Sequence, residues 1–310
     1  EIAPQAPRIA QRLGVPVVHG LLLRWPSFRI FQKGIRRKQP PTVSFFPIFL
    51  FTVFLSTTST VSCPFRRAPT FSSAFTGAGV GSGFAATFAE RGGADFVIVH
   101  SAGRFRNAGA GSLAAFLPFG DANAISKDIA EEVVAAGVSV PVFAGVCATD
   151  PLRSLPAYLD TLDAIGVDGV QNFPTIGVID GAFRQHLEET GFRFETEVEM
   201  IAQASEMGFA TAPYVFTESQ AQAMVEAGAD LVIPHMGLTA KGETGAATTP
   251  TLDAAAERVQ ALREAAAAVD PSVPVVCHGG PIAEPEDAQA VFDRTTGVDG
   301  FFGASSIERL

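Results

Sequence analysis

Two histidines follow apolar runs that are typical of buried strands and are followed closely by glycine: His235 in "VIPHMG" and His278 in "VVCHGG". An imidazole changes its charge near neutral pH, so each residue could act as an acid, a base or a metal ligand. A hydrogen-bonded core histidine is the alternative for either residue taken alone. Because both occupy the same place relative to a strand, we favour proton transfer as their role.

Glycine-rich loops follow the last two predicted strands, "CHGG" at 277–280 and "GASS" at 303–306. Such loops can hold an anion with backbone N–H groups, and a plain turn is the alternative. The predicted substrate-binding residues of these loops are Gly279, Gly280, Gly303, Ala304 and Ser305. The loop "GAGVGSG" (77–83) would add Gly79 and Gly81, although its glycines do not fit the G-x-G-x-x-G dinucleotide pattern.

Two arginines stand in "GRFRNAG" (103–109), after another apolar run. A guanidinium can bind a carboxylate or phosphate through paired hydrogen bonds, whereas in a solvated loop it would bind nothing. We select Arg104 as the residue that binds the substrate carboxylate, with Arg106 as the other candidate.

Polar residues also follow the third and fourth predicted strands. Gln171 and Asn172 stand where an apolar run would be expected, which favours hydrogen-bonding roles: Gln171 in substrate binding and Asn172 in catalysis. Asp150, in "CATDP", could hold Mg²⁺, the one candidate cofactor, or orient a base. The same "TDP" equally suits a helix N-cap.

A repeated pattern indicates which elements position these residues. Each of four segments contains a glycine, a small apolar residue, an aspartate and an apolar run, and the aspartates are Asp95, Asp168, Asp230 and Asp299. Glycine often ends a helix, and a short apolar run is typical of a parallel strand buried on both faces. Strands of a second type and stretches of helical periodicity lie between these segments. Strand and helix therefore alternate, as in an α/β protein.

Seven strands can be counted, near residues 95, 141, 169, 210, 231, 274 and 299. One more would close a (β/α)₈ TIM barrel, in which ligands bind at the carboxyl ends of the strands. We predict the first strand near 15–19, so that residues 1–20 start the barrel and 78–310 form the remainder. Residues 21–77 are then an atypical insertion in the first βα unit. An alternative assigns the first strand to "TFSSAFTG" (70–77).

The insertion has no charged residue between Gln39 and Phe65. A membrane anchor is one hypothesis for 43–62, since about 20 uncharged apolar residues can span a bilayer. The strongly apolar part is shorter and contains Pro47, so we favour a poorly ordered insertion. The chain reaches Leu310 soon after the last strand, which predicts a missing or truncated eighth helix.

The composition of the chain restricts the classes of molecule that we expect it to bind. The net charge of −10 and the absence of basic clusters after Gly77 argue against nucleic acid, because phosphate binding needs grouped Lys and Arg. Three separated cysteines favour a reducing compartment, so we expect a cytoplasmic protein. The expected partner is a small anionic molecule, and a homo-oligomer is a candidate state.

Long stretches of the chain resemble a known family. They include "GRFRNAGAGSLAAFLPFGDAN" (103–123), "GVQNFPTIGVIDGAFRQHLEETG" (169–191) and "CHGGPIAEPEDAQ" (277–289). From about Ala78 onward the sequence is similar to the phosphoenolpyruvate hydrolase-like TIM barrels, which also form the C-terminal domain of plant tobamovirus-resistance proteins.

The resemblance implies membership of the phosphoenolpyruvate/pyruvate barrels and a hydrolase or lyase acting on a small phosphorylated or 2-oxo carboxylic acid. It also implies Mg²⁺ as a candidate cofactor. The acidic-lysine motif of the better-known mutases and lyases of that superfamily is absent, so their mechanism does not carry over. The link to resistance proteins suggests an alternative, a non-catalytic ligand-sensing or protein-interaction barrel.

Overall fold

The computed structural model describes residues 74–308, in which strands and helices alternate. The strands are β1 (Phe75–Val80), β2 (Phe96–Val99), β3 (Val142–Val146), β4 (Gly169–Asn172), β5 (Ala210–Thr211), β6 (Tyr214–Val215), β7 (Ile233–Pro234), β8 (Val276–His278) and β9 (Gly300–Gly303). The α-helices are α1 (Gly83–Arg91), α2 (Ser101–Asn107), α3 (Ala122–Ala135), α4 (Leu155–Ile165), α5 (Gly181–Glu189), α6 (Phe194–Met207), α7 (Glu218–Glu226), α8 (Leu252–Val269), α9 (Pro285–Phe292) and α10 (Ser305–Glu308).

The parallel strands close on themselves. Seven of them form a sheet in the order β5-β4-β3-β2-β1-β9-β8, and β6 pairs with β7. Strands β5 and β6 are two parts of one extended segment, of which the first pairs with β4 and the second with β7. Parallel bridges, Val232 with Val275 and His235 with His278, join β7 to β8. Eight strand positions therefore complete the ring, which confirms the predicted (β/α)₈ fold.

Three of the four repeated glycines end helices as predicted, and the fourth, Gly297, lies in the connection after α9. Gly93, Gly166, Gly228 and Gly297 have φ angles of 95°, 95°, 95° and 75°, in the left-handed region where a side chain would be strained. Each glycine thus turns the chain towards the following strand.

The repeated aspartates connect neighbouring strands at their amino ends. Each carboxylate accepts a hydrogen bond from the backbone N–H near the start of an adjacent strand: Asp95 from Thr76 (2.9 Å), Asp168 from Val142 (2.9 Å), Asp230 from Thr211 (3.0 Å) and Asp299 from Val275 (2.9 Å). The repeat in the sequence therefore sets the register of four strand pairs, at the end of the barrel opposite the predicted ligand site.

Aromatic side chains fill the inside of the barrel. The ring of Phe96 lies 6.1 Å from that of Phe302, nearly parallel to it, and 5.8 Å from that of Phe143, edge to face. Gly77 makes room for Phe96, because a Cβ at this position would lie only 2.2 Å from the Phe96 ring. A larger, mostly aliphatic core lies between the strands and the surrounding helices. The carboxyl ends of the strands, which form the rim of the barrel, therefore stand on a packed interior.

The predicted boundary at 77/78 needs correction. Phe75–Val80 lies between β9 and β2 and pairs with both, so residues 75–77 belong to the barrel. This agrees with the alternative that placed the first strand within 70–77. The segment 15–19 and most of the predicted insertion lie outside the described residues.

Two further expectations concern the ends of the domain. After β9 the described residues contain α10, a helix of four residues, and the truncation of the last helix stays a prediction. Within 74–308, no helix combines the length and the hydropathy that crossing a membrane would take. The apolar segment 43–62 lies outside that range.

Candidate active site

A small cavity of about 40 Å³ lies at the carboxyl ends of the strands. Its polar lining includes His100 after β2, Arg106 on α2, Tyr214 on β6, His235 after β7 and His278 at the end of β8. Phenylalanine and aliphatic side chains complete the wall. The barrel thus brings together residues that are far apart in the sequence, at the rim where such folds bind ligands.

His278 is held by two hydrogen bonds. Its Nδ1 lies 2.7 Å from the backbone oxygen of Phe302, and its Nε2 lies 3.1 Å from the hydroxyl of Tyr214. A carbonyl oxygen can only accept, so Nδ1 carries the proton in the neutral ring. Nε2 then accepts from the Tyr214 hydroxyl, which makes Tyr214 and His278 a proton-transfer pair facing the cavity.

His235 lies beside His278, with 4.9 Å between the ring centres. The backbone N–H of Gly237 donates to its Nδ1 at 3.0 Å. The neutral ring therefore carries its proton on Nε2 and can donate it. The sequence analysis put both histidines at the same place relative to a strand, and the bridge between β7 and β8 brings them side by side.

His100 is a third histidine of the cavity, which the sequence analysis did not select. Its ring stacks on Phe173 with 4.3 Å between ring centres, and its Nε2 lies 2.5 Å from Oε1 of Gln171. The Gln171 Nε2 donates to the Ala212 backbone oxygen at 2.9 Å, which leaves Oε1 as the acceptor for His100. Gln171 therefore orients His100, instead of contacting substrate as predicted.

Burial keeps the three imidazoles neutral. It lowers the pKa of His100 to about 3 and that of His278 to about 4, and in both cases the nearby charge of Arg106 lowers the pKa further. Burial also holds the pKa of His235 well below its ordinary value. Near pH 7 all three rings are therefore uncharged, with donors and acceptors fixed by their partners.

Arg106 is the arginine of the cavity. Its Nε donates to Oε2 of Glu308 at 2.7 Å, and its Nη2 lies 2.5 Å from the same oxygen. Both side chains are only 4% exposed. The other carboxylate oxygen of Glu308 accepts from the backbone N–H of Gly81. The positive charge of Arg106 is thus balanced within the protein, and its Nη1 extends towards Ser112, with 3.4 Å to the hydroxyl oxygen.

Arg104, the arginine selected from the sequence, lies elsewhere. Its side chain is 45% exposed and pairs with Glu132 on α3 at 2.9 Å. The sequence analysis treated this segment as a loop, but residues 101–107 form α2. Two positions apart on a helix, side chains point in nearly opposite directions. Arg104 therefore does not line the cavity, and Arg106 is the arginine of this segment that does.

Asn172 is buried beneath the rim and does not line the cavity. Its Nδ2 donates to Oε2 of Glu197 at 2.6 Å, and its Oδ1 accepts from the Tyr214 backbone N–H at 2.7 Å. The predicted catalytic role is therefore corrected to a positioning role, because Asn172 fixes the backbone of Tyr214.

Glu197 is fully buried on α6 and holds the loop after β4. Its carboxylate accepts from Asn172, from the Thr175 hydroxyl at 2.6 Å and from the Ile176 N–H at 2.8 Å. Burial raises its pKa to about 7, although the hydrogen bonds oppose this shift. Thr175 and Phe173 line the cavity, so Glu197 supports one wall of the site.

The glycine loops shape the rim. Gly279 and Gly280 have φ angles of 76° and 58°, which a side chain would rarely adopt, and the Gly280 N–H donates to the Gly237 backbone oxygen at 2.8 Å. Gly79 allows β1 to approach Ala304, since a Cβ there would lie 2.6 Å from the Ala304 methyl. Anion binding by these loops stays a prediction.

The three other residues of the predicted anion site differ in position. Ala304 and Ser305 line the cavity, whereas Gly303 lies within β9 and pairs with Ala78. Gly303 therefore lies in the strand, one residue before the first residue of this loop that lines the cavity.

Asp150 is bound by neighbouring protein groups. Its carboxylate accepts from the Asn123 amide at 3.0 Å and from the Leu152 N–H at 2.9 Å, and it lies 3.1 Å from the Arg153 Nε. It does not line the cavity. Within residues 74–308 no group of three or more His, Cys, Asp or Glu side chains is arranged to hold a metal ion. The binding of Mg²⁺ by Asp150 stays a prediction.

Comparisons with known proteins agree with this architecture. A model of the phosphoenolpyruvate hydrolase-like family matches residues 64–310. The chain belongs to this family. Two tomato (Solanum lycopersicum) proteins are similar to it, the ToMV susceptible protein tm-1(GCR26) and the ToMV resistance protein Tm-1(GCR237). Each is 53% identical over 234 residues, which are 76% of this chain and 31% of the tomato protein. The chain thus spans about a third of the length of these curated relatives.

A solved structure of another protein has a fold similar to that of this phosphoenolpyruvate hydrolase-like chain. The phosphoenolpyruvate phosphomutase from Streptomyces platensis subsp. rosaceus superposes with a TM-score of 0.51, at 16% sequence identity and over 77% of both chains. At this identity the likeness concerns the barrel and not its chemistry.

Proposed function

We propose that this phosphoenolpyruvate hydrolase-like barrel is a hydrolase or lyase that acts on a small 2-oxo or phosphorylated carboxylic acid bound in the rim cavity. The observation that carries the proposal is the convergence of three neutral histidines, Tyr214 and Arg106 on one cavity at the carboxyl ends of the strands. Family membership supports an enzyme of this general type.

Arg106 would bind the substrate carboxylate. Two of its nitrogens contact Glu308, but a guanidinium has five N–H donors, so donors on Nη1 and Nη2 are left for a ligand. Its low exposure strengthens such a contact, because water does not compete.

The Tyr214–His278 pair would move the proton. When a C–H bond next to a carbonyl breaks, its proton passes to the Tyr214 oxygen while the Tyr214 hydroxyl proton passes to Nε2 of His278. The bonding electrons move onto the carbonyl oxygen, which forms an enolate. The imidazolium so formed is stabilised by the Phe302 carbonyl oxygen at Nδ1 and by the negative substrate.

His235 would polarise the carbonyl group. Its Nε2–H is a neutral donor at the rim, and a neutral imidazole can stabilise the negative charge that develops on an enolate oxygen. His100, oriented by Gln171, packs against Phe173 and would close the side of the cavity next to β2.

Exchange of the methyl protons of pyruvate with D₂O, followed by proton NMR, tests the proposal. We expect the protein to accelerate this exchange over buffer, and His278→Gln to reduce the acceleration about a hundredfold. Arg106→Gln should also slow it, whereas the matched surface variant Arg104→Gln should behave as the wild type. An equal rate for the wild type and His278→Gln would refute the assigned role.

A ligand-sensing barrel without catalysis is the second candidate. It is favoured by the low pKa of His278, about 4, because such a weakly basic group accepts a proton poorly. Saturable pyruvate binding to the wild type without any proton exchange would support sensing over catalysis.

A further inference from the structure

The wall of the cavity carries little net charge. Among residues 74–308, Arg106 is the only Arg or Lys that lines it, and these lining residues include no Asp or Glu. The partner of Arg106, Glu308, lies behind it, and the two form an ion pair whose side chains are each 4% exposed. The three histidines of the lining are hydrogen-bonded to neutral groups. A ligand in the cavity therefore meets one cation whose charge is already compensated.

Glu308 takes up hydrogen-bond donors of α2 and of the glycine loop after β1. One of its oxygens contacts Nε and Nη2 of Arg106, and the other accepts the Gly81 N–H. An arginine together with a glycine-loop N–H is the donor set that proteins use for phosphate. Here the chain's own carboxylate uses both donors.

A second possible anion donor, in the loop after β8, is also used within the protein. The Gly280 N–H, which was a predicted anion donor, donates to the backbone oxygen of Gly237. The cavity itself is small, with a volume of about 40 Å³. A phosphate ester carries roughly two charges at neutral pH and many strong acceptors, so it would be buried there with too few donors.

We infer that the cavity selects a small carbonyl compound with a single carboxylate and no phosphate group, because Glu308 already neutralises the charge of Arg106 and leaves too few donors for a phosphate. This inference rests on the proposed function and narrows it, since it assigns the site to the 2-oxo acids and excludes the phosphorylated ones.

Isothermal titration calorimetry with pyruvate and with phosphoenolpyruvate tests the inference on three proteins. These are the wild type, Glu308→Gln and the matched control Glu132→Gln, which removes the carboxylate from the exposed Arg104 pair. In the wild type we expect pyruvate to bind at least about tenfold more tightly than phosphoenolpyruvate. Glu308→Gln frees the charge of Arg106, so it should raise the affinity for phosphoenolpyruvate about tenfold, and Glu132→Gln should not.

The outcomes separate this inference from the proposed function. Equal or tighter binding of phosphoenolpyruvate by the wild type would overturn the inference and leave the proposed site standing. If neither ligand binds the wild type, both are wrong. A Glu308→Gln protein with a native circular dichroism spectrum and unchanged affinity for phosphoenolpyruvate would also overturn it. If Glu308→Gln does not fold, the inference is tested by the wild type alone, through its affinities for pyruvate and for phosphoenolpyruvate.

Discussion

Replacing Glu197 by glutamine is expected to change how the stability of the barrel depends on pH. The carboxyl group is fully buried and accepts hydrogen bonds from Asn172, Thr175 and the Ile176 N–H. Burial raises its pKa from the ordinary value of 4.5 to about 7 in the folded protein. As the pH rises, the unfolded chain therefore loses this proton before the folded protein does.

The sign and size of the effect follow from these two values. The contribution of Glu197 to stability is fully present below pH 4.5 and is lost as the pH rises through about 7. The whole difference corresponds to about 3 kcal/mol at about 1.4 kcal/mol per pKa unit. Between pH 5 and pH 8 the free energy of unfolding should fall by about 2.5 kcal/mol through this group alone.

Urea denaturation of the wild type and of Glu197→Gln at pH 5 and pH 8 measures this effect. Other titrating groups act equally in both proteins, so the difference between the two unfolding free energies isolates Glu197. The loss of unfolding free energy caused by Glu197→Gln should be smaller at pH 8 than at pH 5, by about 2.5 kcal/mol. Glu195→Gln, on the exposed side of α6, is the control for loss of a carboxylate. A difference that is the same at both pH values would refute the reasoning.

Three further predictions concern the cavity. Arg106→Met leaves its buried carboxylate partner unpaired and should cost about 3–5 kcal/mol in urea denaturation, against less than about 1 kcal/mol for Arg104→Met on the surface. Equal costs would contradict the burial of Arg106. Tyr214→Phe removes the donor to Nε2 of His278 and should cost about 1–2 kcal/mol, and unchanged stability would argue against that hydrogen bond. The ring ¹⁵N signals of His100 and His278 should stay those of neutral imidazole from pH 5 to pH 8, and a midpoint near 6.5 would contradict their burial.

The architecture could be predicted because it depends on local rules. Each glycine with a positive φ and each aspartate that binds a strand N–H leaves the same short pattern in the sequence, so four strands were located correctly from it. The apolar runs between these segments located three more. The first strand was misplaced because 15–19 resembles the other strands in composition. Which segment pairs with β9 and β2 depends on long-range contacts that composition does not encode.

The site was predicted only in part for a related reason. His235 and His278 follow recognisable strands, so their position at the rim could be read directly. Arg104 was chosen over Arg106 because the choice depends on α2 being helical and on the direction each side chain takes. Glu308 was not considered, since only the folded chain brings it to Arg106, 202 positions away.

The central claim is that a small carboxylate binds among the three histidines that line the cavity. Selective ¹⁵N labelling of histidine, followed by NMR titration with pyruvate, tests it most directly. We expect the ring signals of His100, His235 and His278 to shift with one common affinity, while the signal of His186, exposed on α5, stays in place. A shift of His186 alone, or no shift of the three rings in the cavity at saturating pyruvate, would contradict the claim.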